Sequence, residues 1–158
     1  MIFIILGTQK FQFNRILKEI DNLIESGIIL EKVIAQCGYS TYKPKNFEVI
    51  EFLNKVDYDK YLNECDKVIC HGGTGAIINT ITKNKKVIAI PRLSEFGEHV
   101  DDHQKEIIKQ FKDNNYIIGL ENVDEIKEYI NKIDDFKFNE YISNTENILN
   151  IIDDFIKN

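Results

Sequence analysis

Apolar positions fall into two patterns along this chain. Short continuous runs recur at Ile2–Leu6 (IFIIL), Lys32–Gln36 (KVIAQ), Phe47–Leu53 (FEVIEFL), Val68–Cys70, Val87–Pro91 (VIAIP) and Tyr116–Ile118, the signature of strands buried on both faces. Between them the spacing changes to three and four: Phe13, Ile16, Leu17, Ile20, Leu23 and Ile24 make one stripe on a helix over 11–26, and Gly27 sits where it would stop. Further helices are predicted near Tyr58–Glu64, over 74–82, from about Asp102 to Phe111 and from about Val123 to Ile133. A terminal helix over about 140–157 carries a stripe from Tyr141 to Ile156, which either packs on the domain's own sheet or docks a partner. Alternation of strand and helix predicts βαβ units. The expected class is α/β, a Rossmann-like doubly wound parallel sheet in a single domain over 1–158, without repeat or linker.

Composition narrows this picture. The 158 residues are 43% hydrophobic and 29% charged, ordinary for a globular protein, and no apolar run reaches the roughly 18 residues of a membrane span. The apolar start lacks a basic leader, so a cytoplasmic location is expected. A net charge of −6 with interspersed lysines excludes a nucleic-acid partner. Cys37, Cys65 and Cys70 are odd in number and unframed, which fits free core thiols in a reducing compartment.

Chemistry concentrates in two loops. CHGGTGAIINT, residues 70–80, holds three of the eight glycines in four positions, between an apolar strand and an apolar helix. In open α/β sheets ligands bind at the carboxyl ends of the strands. Gly72, Gly73 and Gly75 at positive φ would expose N–H groups at a helix N-terminus, a site for an anion such as phosphate, with the Thr74 hydroxyl as an added donor. The alternative is a tight turn that uses glycine only for packing. The motif is neither a P-loop nor GxGxxG, and the first βα turn, GTQKFQFN, has a single glycine, which disfavours a dinucleotide cofactor. Gly7 and Thr8 still reach the same crevice. His71 is either a core imidazole or a functional group.

The second loop, FGEHVDDHQ at 96–104, brings Glu98, His99, Asp101, Asp102, His103 and Gln104 to another strand's carboxyl end. Such groups suit hydrogen bonding to sugar hydroxyls. His99 and His103 are four apart, but no HExxH and no third ligand is evident, so no metal is expected. Asp101 or Asp102 is expected to cap the following helix. There is no nucleophile elbow.

Residues 52–104 resemble the donor-binding, C-terminal half of GT-B glycosyltransferases of family 28. The whole chain apart from its last helix, through GTQKFQFNRILKEID, HGGTGAIINT and PRxxxFGEHVDDHQ, is similar to bacterial capsule and exopolysaccharide glycosyltransferase subunits of the Alg13-like kind. The resemblance implies that His71, Gly72, Gly73, Thr74 and Gly75 hold a donor diphosphate, with His71 and Thr74 helping to carry the charge of the departing UDP. It puts His103 and Gln104 on the donor sugar and the main chain at Phe52 and Leu53 on uracil. Asn79 stands where many relatives carry a ribose-binding glutamate. A UDP-sugar is the implied donor substrate and no cofactor is required. The candidates for the general base are His99, Glu98 and a residue of the partner. That partner would be an Alg14-like membrane-associated subunit presenting a lipid-linked acceptor and holding this chain at the inner face of the membrane. A non-catalytic nucleotide-sugar-binding or stabilising subunit is the alternative.

Overall fold

The computed structural model describes residues 1–142; the stripe predicted on the terminal helix lies almost wholly outside them. Six parallel strands form one sheet: β1 (Ile2–Ile5), β2 (Val33–Gln36), β3 (Glu48–Ile50), β4 (Lys67–His71), β5 (Lys86–Ile90) and β6 (Ile118–Gly119), in the spatial order β3-β2-β1-β4-β5-β6. Chain order reverses between β1 and β4, so their carboxyl ends flank a topological switch point, where such folds bind ligands. In register, Ile5 sits beside Gln36 on one side and Cys70 on the other.

Alternation along β1 divides the core. Ile2, Ile4 and Leu6 pack with helix α1 (Asn14–Glu25) and with Ile126, Ile130 and Ile133. Phe3 and Ile5 point to the other face, towards Leu62 of α2 (Lys55–Glu64), Ile77 and Ile81 of α3 (Thr74–Ile81), and Ile108 of α4 (Gln104–Asp113). Each fully buried side chain of this size contributes about 1.5–3 kcal/mol, which is why continuous apolar runs become central strands.

The ends of elements differ from the sequence pattern for local reasons. Gly27 ends α1 at φ +73, its amide bonded to Ile24 O. Strand β3 is only three residues long, because beyond Ile50 the Leu53 amide turns to the Gln36 side chain. The predicted helix over 123–133 is a 3₁₀ turn, Val123–Glu125, then α5 (Ile126–Tyr129), then a second 3₁₀ turn, Ile133–Asp135. A capping box between Asn122 and Glu125 starts that segment. Strand β6 follows a left-handed Asn115 and starts two residues later than expected, while Tyr116 turns to stack edge-on against Tyr141. Among the described residues no helix is long and apolar enough to cross a membrane.

Candidate functional site

A cleft of about 570 Å³ opens over the ends of β1 and β4, lined by Gly7 and Thr8 on one side, His71 and residues 73–76 on another, and His99, His103 and Gln104 on a third. The two polar loops singled out in the sequence therefore meet.

Helix α3 begins at Thr74 with Gly73 as N-cap and no side-chain cap. Its first intrahelical bond runs from Ile77 N to Gly73 O at 3.1 Å, leaving the amides of Gly73, Thr74, Gly75 and Ala76 without an acceptor among the described residues. Nor does the exposed Thr74 hydroxyl have a partner among the described residues. Four such donors at the positive end of a helix dipole favour an anion. The Gly72 amide is not one of them, because it donates to Gln104 Oε1 at 3.0 Å.

The glycines serve different ends. None of Gly72, Gly73 and Gly75 has the positive φ expected of them. What requires glycine at 72 and 73 is space. A Cβ on Gly72 would stand 2.8 Å from the Gln104 Cβ, and one on Gly73 would strike the His71 imidazole at Nε2. Gly7, at φ +76, faces the same ring, with its would-be Cβ 2.8 Å from His71 Cε1. Of the three glycines in the turn, Gly75 alone would carry a Cβ that meets nothing within 4 Å. Packing thus explains two of the turn's glycines, and the third leaves the helix end open.

His71 is wedged between Gly7 and Gly73. Burial, with the Arg92 charge adding to it, pushes its pKa down to about 4, so the ring is neutral at physiological pH. Nδ1 lies 3.2 Å from the Ile5 carbonyl, which can only accept. The proton therefore sits on Nδ1, and Nε2 presents a lone pair beside Gly73. In this state the imidazole offers no free N–H to a phosphate oxygen, and in this geometry it fills the turn between Gly7 and Gly73. Behind it, Arg92 is fully buried, its Nη2 donating to the carbonyls of Leu6 and Phe11. Burial lowers its pKa to about 10 while Glu98 opposes the shift, so a fixed positive charge underlies the crevice.

Glu98 is also structural. Only 1% exposed, it accepts from Arg15 Nε at 2.8 Å and Nη2 at 3.0 Å and from the Leu93 amide at 3.1 Å. It does not line the cleft, and its lone pairs are committed, so the expected base role does not fit this geometry. Gln104, 3% exposed, bridges the Gly72 and Arg92 amides through Oε1. Only its Nε2 remains for a ligand. Neither aspartate makes the side-chain cap expected for α4. Asp102 Oδ1 instead accepts from the Ser94 amide and hydroxyl, both at 2.8 Å, and folds the loop on itself. Asp101 accepts from the amide and Nδ1 of His103, bonds that hold its carboxyl below the usual range.

The residues assigned to the nucleoside are not gathered into the cleft. Asn79 Nδ2 reaches the Tyr58 hydroxyl at 3.4 Å. Phe52 is exposed and packs edge-on against Tyr39 at 5.3 Å, and the Leu53 amide is taken by Gln36. Conversely, Gln36 and Tyr58 line the cleft without having been anticipated. A polar side chain closing the apolar run KVIAQ was the available signal for Gln36; Tyr58 had none.

Residues 1–158 match the glycosyltransferase family 28 C-terminal domain, and the chain belongs to that family. It is 30% identical over 113 residues to the UDP-N-acetylglucosamine transferase subunit ALG13 of Candida albicans, an alignment covering 72% of this chain and 37% of that protein. It is 31% identical over 71 residues to the protein of the same description from Debaryomyces hansenii, covering 45% and 34%. The aligned part of this chain thus spans about a third of each curated relative. Among solved structures, the fold is similar to MurG of Acinetobacter baumannii, with TM-score 0.58, 16% identity and coverage of 82% of this chain and 40% of that one. The kitacinnamycin glycotransferase gives TM-score 0.59 at 12% identity, covering 84% and 34%.

Proposed function

We propose that this chain is the donor-binding subunit of a two-component glycosyltransferase that moves a sugar from a UDP-sugar to a lipid-linked saccharide in capsule or exopolysaccharide synthesis. The observation that carries the reading is the set of unpartnered amides at residues 73–76, open to the cleft at the sheet's switch point. The pyrophosphate of the donor sits on these amides, with the Thr74 hydroxyl beside them and the Arg92 charge behind. Preorganised donors of this kind stabilise charge that develops on the leaving diphosphate. Gln104 Nε2 and His103 face the sugar, and Tyr58, which lines the cleft and accepts a bond from Asn79, faces the ribose. Two relatives are described as transferase subunits. That description supports a second polypeptide, a membrane-associated Alg14-like subunit, that supplies the acceptor and keeps this chain at the membrane surface.

With Glu98 committed to Arg15 and His71 neutral and packed, the base for the acceptor hydroxyl comes from His99 or from the partner. The same two facts favour the second reading, a nucleotide-sugar-binding subunit without chemistry of its own. Turnover separates them. The reconstituted pair, given labelled UDP-sugar and lipid acceptor, transfers label, and a Gly73→Val subunit does not. Binding of UDP to the isolated chain with no transfer by the pair supports the second reading, and failure to bind UDP sinks both.

A further inference from the structure

The segment 98–104 alternates in what its side chains do. Glu98, Asp102 and Gln104 reach outwards to Arg15, Ser94, and the Gly72 and Arg92 amides, and clamp the loop at three points. His99, Asp101 and His103 turn to one another. One ligand atom from each lies within 4.8 Å of the others. Asp101 Oδ1 is 3.2 Å from His99 Nδ1 and also bonds His103 Nδ1.

His99 is held in place, its side chain 7% exposed, with its ring 5.0 Å from that of Phe11 and 4.8 Å from that of His103. Apart from these contacts the three groups make no side-chain hydrogen bond to any other described residue. Asp101 and His103 remain about half exposed.

We propose that His99, Asp101 and His103 form a binding site for a borderline divalent cation of the zinc or cobalt kind at the mouth of the cleft. Two imidazole nitrogens and one carboxylate oxygen are the donor set such ions take, and three protein ligands leave at least one coordination position open. Spacing suggested only the two histidines; the turn before α4 folds the intervening aspartate between them and supplies the third ligand. The clamps at 98, 102 and 104 limit what must reorganise when an ion enters. Because His99 and His103 line the cleft, the ion's open position borders the space assigned to the donor. The metal site itself does not depend on that assignment, and with the ion bound His99 is a ligand, so the base for the acceptor hydroxyl then comes from the partner.

The test is a titration of the full chain with Co(II) and Zn(II), with no nucleotide present. We expect one equivalent of Co(II) to give visible d–d bands and Zn(II) to displace it, with a Kd of about 10 μM or tighter. Asp101→Asn and His103→Asn, both at exposed positions that leave the core intact by circular dichroism, each weaken binding by tenfold or more. The proposal is overturned by absence of stoichiometric binding, by binding that both variants retain, or by a thiolate charge-transfer band that would move the ion to a cysteine.

Discussion

The two ends of the same parallel sheet solve their electrostatics in opposite ways. At the amino end a cluster of charges is closed on itself. The Met1 amine meets Glu31 at 3.0 Å and Asp66 at 3.2 Å, and Lys67 bridges Glu31 and Asp134, which at 2.8 Å also pairs with Lys86. At the carboxyl end the helix amides at 73–76, the Thr74 hydroxyl and the Gln104 amide nitrogen have no partner among the described residues. Polar groups left unpaired in a built and rigid place mark where a ligand completes the structure. The amino end is finished by folding, whereas on the reading proposed above the carboxyl end is finished by binding.

The largest effect expected from breaking this contrast lies in the scaffold of the open end. Glu98→Ala strands Arg15 and frees the Leu93 amide, and loss of one partner of a buried pair costs about 3–5 kcal/mol. Urea denaturation should show it, with the cleft lost together with the fold.

Next in size, Gly73→Val drives a side chain into the His71 ring. UDP affinity should fall at least ~100-fold by calorimetry, with about 1–3 kcal/mol lost from overpacking. Gly75→Ala sharpens the point: its Cβ meets nothing, so stability should hold while UDP binding weakens.

A smaller effect follows from the neutral His71. Its folded pKa of about 4 lies below the ordinary 6.5. The stability it contributes is therefore full above pH 6.5 and is lost as the pH falls from 6.5 through 4, by an amount on the order of 2–3 kcal/mol. A pH series of urea midpoints should show this slope in the wild type and not in His71→Gln.

The smallest effect belongs to the closed end. Lys67→Met removes two ion pairs made by a nearly buried ammonium, at about 1–2 kcal/mol, and should leave UDP affinity unchanged. Loss of UDP binding in that variant would erase the distinction between the ends.

Much of the fold was legible because it rests on local periodicity. The apolar runs fix the strands, and three-and-four spacing fixes α1. The two polar loops were legible as crevice-forming because both follow strands of one sheet. What escaped depends on partners remote in sequence. Glu98 became a structural anion because Arg15, 83 residues away, reaches it. Gly72 and Gly73 became packing glycines because Gln104 and His71 occupy the space where their Cβ atoms would stand. Gln104 was expected to face a sugar, yet it spends its carbonyl oxygen on two amides. The shortness of β3 was hidden for the same reason, since the Leu53 amide turns to the Gln36 side chain, 17 residues away.

The central claim is that the amides of Gly73, Thr74, Gly75 and Ala76 receive a pyrophosphate. Titration of ¹⁵N-labelled protein with UDP, followed by amide chemical shifts, tests it directly. The account predicts that these four resonances move together along one saturating curve, while that of Gly72, already bonded to Gln104, moves far less. Saturation by UDP with the four unmoved, or no movement anywhere at millimolar UDP, would contradict it.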